Sequence, residues 1–166
     1  HLDEHALLRF IDELAAAKMD GLLISGDIGE SHTVIPLLQR LDEALTVPIW
    51  FVMGNHDYYG GSIVDTRERA RVWSRQSERT RWLPECGVVP LTPTTALAGH
   101  GGWADGRCGN FQTSSIQLND YIRIEDLVCS QRETLQKKLM ALGDEAALFT
   151  TKILEEAFAD FEKVLF

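Results

Sequence analysis

The stretch PIWFVMGNHDYYGG, residues 48–61, joins an apolar run to a compact group of polar side chains. The apolar run covers residues 49–53 and ends directly in Gly-Asn-His-Asp at residues 54–57. A continuous apolar run of this length predicts a strand that is buried on both faces. The glycine lets the backbone turn sharply, so an amide, an imidazole and a carboxylate are presented together at the strand end.

A second short apolar run ends in the same way. Residues 22–25, LLIS, are followed directly by Gly26 and Asp27, and this run also predicts a strand buried on both faces. Apolar residues recur at helical spacing on either side of it, which predicts amphipathic helices over 3–18 and 31–45. The first third of the chain therefore alternates helix, strand, helix, strand, a pattern typical of a parallel sheet with helical crossovers.

The rest of the chain adds more elements of both kinds. The pattern predicts a helix over 65–82 and a hairpin of two strands at 88–91 and 95–104. A long loop is expected over 105–120, one or two helices over 131–159, and the start of a strand at 163–166. Gly143 is the expected break in the last helical region. Long loops in compact domains are often functional, which makes the loop a candidate for lining a site.

The helix predicted over 65–82 carries six arginines. Runs of charge usually form a solvated helix face. The alternative is a positive rim that attracts an anionic substrate.

Length and charge narrow the possible functions. The chain of 166 residues fits one globular domain over residues 1–166. Its net charge of −9 argues against a general nucleic-acid binder, which needs a basic face to replace counterions. The charge is compatible with an enzyme acting on phosphate, because bound metal ions supply positive charge locally. No apolar run approaches the roughly 20 residues of a membrane helix, so no membrane partner is expected.

The cysteines and the two ends give further expectations. Cys86, Cys108 and Cys129 are an odd number without a C-x-x-C pair, which predicts reduced thiols in a cytoplasmic protein. The chain starts at His1 rather than at Met, and it stops at Phe166 inside an apolar run. We expect the sequence to lack residues at both ends.

The polar residues at the two strand ends form the candidate site. In a parallel α/β sheet, ligands bind beyond the carboxyl ends of the strands. Asp27, Asn55 and His56 are therefore expected to share one pocket, where their oxygen and nitrogen donors suit Mn, Fe, Ni or Zn. A Gly-Asp pair after a strand is common, whereas Gly-Asn-His-Asp is rare by chance. The alternative is that the tetrapeptide only forms a turn capped by His56.

These two motifs resemble those of the calcineurin-like metallophosphoesterases. That family is marked by D-x-H, GD, GNH(D/E), an isolated His and G-H-x-H, and this chain matches the second block at 26–27 and the third at 54–57. His1 lies where the His of D-x-H is expected, and G-H-x-H does not occur. The resemblance implies an α/β fold with a layered α/β/β/α sandwich, incomplete at both ends.

The resemblance also implies roles for individual residues. It implies two divalent metal ions, with manganese favoured, bridged by Asp27 and ligated by His1 at the first metal and Asn55 at the second. A hydroxide that bridges the metals would attack a phosphoester substrate. His56 would protonate the leaving oxygen, and Asp57 would hold the other ring nitrogen of His56 and fix its tautomer.

Two other functions compete with a metal-dependent phosphatase or phosphodiesterase. A non-catalytic protein-interaction scaffold on the same fold stays open because downstream histidines are missing, but the intact Asn55-His56-Asp57 argues against it. A nucleotide-binding doubly wound domain is disfavoured, because neither G-x-G-x-x-G nor a P-loop is present. The sequence leaves the substrate, the metal and the oligomeric state open.

Overall fold

A computed structural model describes residues 3–166 of the chain. In this part the five α-helices are α1 (Glu4–Ala16), α2 (Val34–Ala44), α3 (Ile63–Gln76), α4 (Asp120–Arg123) and α5 (Arg132–Asp160). The six strands are β1 (Leu22–Ile24), β2 (Ile49–Phe51), β3 (Thr80–Trp82), β4 (Val89–Thr92), β5 (Thr95–Leu97) and β6 (Lys163–Leu165). No helix in residues 3–166 is long and apolar enough to cross a membrane.

The first sheet is parallel, as the alternation of helix and strand predicts. Its strands lie in the order β1-β2-β3, with Leu22 opposite Ile49 and Phe51 opposite Trp82. All three strands therefore have their carboxyl ends at one edge of the sheet, where β1 leads into the Gly-Asp pair and β2 into Gly-Asn-His-Asp.

The second sheet contains β4, β5 and β6. Strands β4 and β5 form the predicted antiparallel hairpin, and the final strand β6 lies parallel to β5. Two sheets with helices around them make this an α/β protein with the layered organisation that the resemblance implied. The motif-bearing strand β2 lies between its neighbours in the first sheet.

The main core supports the end of β2. Phe51 and Met53 are fully buried and pack in one cluster with Leu38 from α2 and Leu139 from α5. Helices from distant parts of the chain thus press on the strand that precedes Gly54, which fixes the position from which the polar residues project.

The sequence-based prediction over 65–82 was wrong in its second half. Helix α3 ends at Gln76, and the next residue, Ser77, is already extended. Residues Thr80–Trp82 then form β3, which completes the parallel sheet. The sequence pattern missed this short strand because a charged residue, Arg81, lies within it. The Arg81 side chain projects from the strand and donates to the carbonyl of Ser74 at the end of the helix.

Two smaller expectations also differ from the structure. Gly143 does not break the last helical region, because α5 continues through it, and a Cβ at this position would lie 2.5 Å from the Cβ of Asp105. Because Gly143 has no side chain, the long loop can pack closely against the helix at Asp105. Leu23 is 46% exposed although its strand was predicted to be buried on both faces, because its side chain lines a cavity together with Leu97 and Leu165 of the second sheet.

Three of the four arginines of α3 form ion pairs, and the fourth, Arg69, donates to the hydroxyls of Ser31 and Thr66. Arg71 contacts both Glu68 and Glu85, and Arg67 donates to Glu145 at 2.8 Å. These pairs agree with a solvated, salt-bridged helix face. They offer little support for a positive rim.

Candidate active site

The two glycine-containing strand ends pack backbone against backbone. A Cβ at Gly26 would lie 2.5 Å from the Gly54 nitrogen, and a Cβ at Gly54 would lie 2.1 Å from Asp27 Oδ1. Asp27 itself has a φ of 55°, a left-handed conformation that is uncommon for a residue with a side chain. The Asp27 carboxylate is thus held against Gly54 and is exposed at the sheet edge.

Asp57 ties the two strand ends together from beneath. Its carboxylate is fully buried and accepts hydrogen bonds from the backbone N–H groups of Gly29 at 2.8 Å and Gly54 at 2.9 Å. Burial raises the pKa of Asp57, as does the nearby charge of Asp27, and the backbone hydrogen bonds oppose this rise. The side chain acts as a bridge that sets the spacing between the two loops.

This position differs from the role expected for Asp57. Both of its oxygens are directed to backbone amides, and within residues 3–166 no hydrogen bond joins it to the His56 ring. The reason is geometric, because Asp57 points into the core whereas His56 is exposed. The centroid of the His56 ring instead lies 4.6 Å from the centroid of the Tyr59 ring. The backbone N–H of His56 donates to Asp27 Oδ1 at 3.2 Å.

The Asn55 side chain is held by two residues that the sequence analysis did not single out. Asn55 Nδ2 donates to Asp120 Oδ1 at 2.8 Å and to the hydroxyl of Tyr59 at 3.3 Å. The Tyr59 hydroxyl in turn donates to Asp120 Oδ1 at 2.6 Å. Burial, and then the hydrogen bond to Asp120, raise the pKa of Tyr59 to about 12, so this hydroxyl keeps its proton at neutral pH.

Asp120 reaches the site from the end of the long loop, and the segment that follows it is fastened to the Gly-Asn-His-Asp loop. The N–H of Gly60 donates to the carbonyl of Arg123 at 2.8 Å, and the N–H of Glu125 donates to the carbonyl of Gly61 at 3.0 Å. The Arg123 guanidinium also lies over the Tyr59 ring at 4.6 Å. Backbone and side-chain contacts therefore fix the two segments relative to one another.

Asp27, Asn55 and Asp120 line a cavity of about 490 Å³, whereas His56 is not among its lining residues. Its polar wall is formed by the two strand ends and Asp120, and its other walls are formed mainly by glycines and apolar or aromatic residues, which include Gly101, Gly102, Trp103, Ala104, Leu118, Tyr121 and Leu139. The volume falls in the range of sites that bind small molecules.

His100 lies nearby but has a structural environment. Its Nδ1 accepts a hydrogen bond from the N–H of Gly102 at 3.0 Å, and its ring lies 5.0 Å from the Phe149 ring. Burial lowers the pKa of His100, as does the charge of Arg67, so the neutral ring is favoured. These contacts give His100 a structural role at the edge of the site.

The donors present fit part of a metal centre. Asp27 offers a carboxylate, and Asn55 offers its amide oxygen, which makes no hydrogen bond within residues 3–166 while its nitrogen donates to Asp120 and Tyr59. Hard oxygen donors of this kind bind divalent ions such as Mn²⁺ and Mg²⁺. Within residues 3–166 no group of three or more His, Cys, Asp or Glu side chains is placed to hold a metal. His1, the third predicted ligand, lies outside the described residues.

The comparison with protein-family models gives one clear result. The model for the calcineurin-like phosphoesterases matches residues 1–160, nearly the whole chain. No significant match was found among curated proteins or among solved structures. The match spans both strand ends and the segment that supplies Asp120, and the chain therefore belongs to the calcineurin-like phosphoesterase family.

Proposed function

We propose that the chain is a metal-dependent phosphoesterase, in which Asp27, Asn55 and His1 hold two divalent metal ions, with manganese favoured. The observation that carries the proposal is the meeting of the Asp27 and Asn55 side chains at one cavity, next to the exposed residue His56, whose backbone N–H donates to Asp27. Phosphoester hydrolysis is the general chemistry of the family, and the metals and the individual roles are the proposed part.

Each residue of the chain has a distinct task in this proposal. Bound metal ions would supply an activated water and neutralise charge on the phosphoryl oxygens. Asp27 and Asn55 place oxygen donors at the sheet edge, and Asp57 keeps the two loops at a fixed spacing. His56 reaches solvent and is free to give a proton to the leaving oxygen. Tyr59 packs against the His56 ring and limits its orientations.

Both a monoester and a diester remain candidate substrates in this proposal. Trp103, Leu118 and Tyr121, which line the same cavity, would offer apolar surface to the organic group. The three cysteines are all unpaired in the described structure, which supports our proposal that the protein works in the cytoplasm.

The decisive experiment is hydrolysis of a chromogenic phosphodiester and of the matching monoester with added Mn²⁺. We expect turnover that depends on the metal, and the ratio of the two rates then narrows the substrate class.

His56→Ala should bind Mn²⁺ with unchanged affinity and lose about 10²–10⁴-fold in kcat, because only the proton donor is removed. His5→Ala, an exposed histidine in α1, is the matched control and should retain full activity.

Two results would contradict the proposal. Full activity of His56→Ala would remove this residue from the mechanism. A folded protein that shows no turnover with Mn, Fe, Ni or Zn would favour the interaction scaffold instead.

A further inference from the structure

The contact between Asp120 and Asn55 determines which way the Asn55 amide points. An ionised carboxylate only accepts hydrogen bonds, so the amide nitrogen and not the oxygen must face Asp120. The hydroxyl of Tyr59 gives its proton to the same carboxylate and therefore accepts from Asn55. Rotating the amide by 180° would lose both hydrogen bonds and bring its oxygen against the carboxylate.

In this orientation neither Asp120 nor Tyr59 uses the amide oxygen. Asn55, Asp27 and Asp120 all line the same cavity. Nδ2 is committed to Asp120 and Tyr59, and the Asn55 amide oxygen makes no hydrogen bond within residues 3–166, so it is available to a ligand.

Asp120 is held firmly enough to act as such a support. It begins the short helix α4, and the residues after it anchor this segment in the core, since Ile124 and Leu127 are fully buried. Asp126 adds a further tie by accepting a hydrogen bond from the N–H of Ile63 at 2.6 Å, at the start of α3. The Asp120 carboxylate therefore sits on a packed segment and not on a loose loop.

We propose that Asp120, assisted by Tyr59, is a positioning residue that turns the Asn55 amide oxygen into the cavity and thereby sets the metal affinity of the site. The inference rests on the proposed function, because it takes Asn55 as a metal ligand. Groups that orient metal ligands from the outside contribute about 10–100-fold in affinity or activity in other metal sites.

The first test is the Mn²⁺ dissociation constant, measured by titration calorimetry on the whole chain. Asp120→Ala should raise the Kd by about 10–100-fold, and Tyr59→Phe should raise it by less, because the ring remains against His56 and Arg123 while one hydrogen bond is lost. Asp126→Ala is the matched control, since it loosens the same segment without touching Asn55. It should lower the melting temperature and leave the Kd unchanged.

The second test separates positioning from direct metal binding by Asp120. The side-chain NH₂ resonances of Asn55 are recorded by ¹⁵N NMR in the metal-free protein. Asp120→Ala should shift them towards the values of a free amide, and Asp126→Ala should leave them in place. A direct ligand of the metal would have no such effect before metal is added.

The outcomes distinguish the inference from the proposed function. If wild type binds Mn²⁺ and Asp120→Ala binds it equally well, only the inference is wrong. An equal rise in Kd for Asp126→Ala would reduce Asp120 to a general support of the segment, and unchanged NH₂ resonances would also reject the positioning role. If wild type binds no Mn²⁺, the proposed metal site is wrong and the inference falls with it.

Discussion

At the scale of single residues, the site depends on a glycine, because there is no space for a side chain at position 54. Gly54 leaves the space that the Asp27 carboxylate occupies, since a Cβ there would lie 2.1 Å from Asp27 Oδ1. Asp27 also adopts a left-handed backbone conformation, which costs of order 1–3 kcal/mol for a residue with a side chain. This strain persists because Asp57 and the packed glycines hold the loop in one arrangement.

A Gly54→Ala substitution should therefore damage the site more than the fold. The added methyl group displaces the Asp27 carboxylate, and we expect Mn²⁺ affinity to fall by more than about tenfold. Gly60→Ala is the control, because Gly60 has a φ of 74° but a Cβ there would meet nothing within 4 Å. It should reduce thermal stability and leave Mn²⁺ affinity unchanged. Equal Mn²⁺ affinity of Gly54→Ala and wild type would contradict the prediction.

The sequence predicts the local part of the site and misses the distant part. Asp27 and Asn55 are found from short motifs at strand ends, and the structure brings them to one cavity. The contacts of Asp57 could not be predicted from the sequence. An acidic residue next to a histidine is equally compatible with two roles: it can fix the orientation of the histidine ring, or it can be buried and link two loops. Asp120 could not be found either, since it follows an aperiodic loop and its partner lies 65 positions earlier.

At the scale of secondary-structure elements, β3 shows the limit of periodicity as a signal. The strand has only three residues, and one of them, Arg81, is charged, so apolar alternation cannot reveal it. Its position depends on Asp42 of α2, whose Oδ1 accepts hydrogen bonds from the Ser77 hydroxyl, the Thr80 N–H and the Thr80 hydroxyl. A tertiary contact thus defines a strand that the local sequence leaves hidden, whereas β1 and β2 are predicted correctly from their apolar runs.

Asp42→Ala should destabilise the protein in a pH-dependent manner. Burial acts to raise the pKa of Asp42, but the hydrogen bonds from Ser77 and Thr80 outweigh it, and the pKa is lowered. A group whose pKa is lower in the folded state stabilises it above its unfolded pKa of about 3.9 and loses this effect as the pH falls. We expect a loss of about 1–3 kcal/mol at pH 7 in urea unfolding.

The difference between wild type and Asp42→Ala should shrink below about pH 4, where the unfolded carboxyl is protonated. Glu43→Ala, an exposed neighbour on the same helix, should change stability by less than about 0.5 kcal/mol at either pH. A difference for Asp42→Ala that is the same at both pH values would show that its charge is not involved.

At the scale of the whole molecule, an acidic chain gathers carboxylates at one cavity. The net charge is −9, and Asp27 and Asp120 line the same cavity while Asp57 is buried beneath it. Like charges in one place oppose folding, and divalent cations relieve that opposition. The bulk charge argues against a general nucleic-acid binder from the sequence alone, but only the fold shows where acidic groups collect.

Mn²⁺ should consequently stabilise the folded chain. At a concentration 100 times its Kd, a ligand that binds only the folded state adds about 2.7 kcal/mol, which thermal unfolding with and without chelator detects as a higher melting temperature. Asp27→Asn should abolish most of this gain. Asp20→Asn, which removes a charge near the opposite end of β1, should keep it. A gain that survives in Asp27→Asn would place the cation elsewhere.

The ties between the Gly-Asn-His-Asp loop and the segment that begins at Asp120 also bear on how the protein is made. The partners in the hydrogen bond from Asn55 to Asp120 are 65 residues apart in the chain. At translation rates of about 5–20 residues per second, Asp120 is added roughly 3–13 s after Asn55. For that interval the nascent chain carries the Gly-Asn-His-Asp motif without Asp120, so the cavity observed in the folded chain can form only after the segment around residue 127 has left the ribosome.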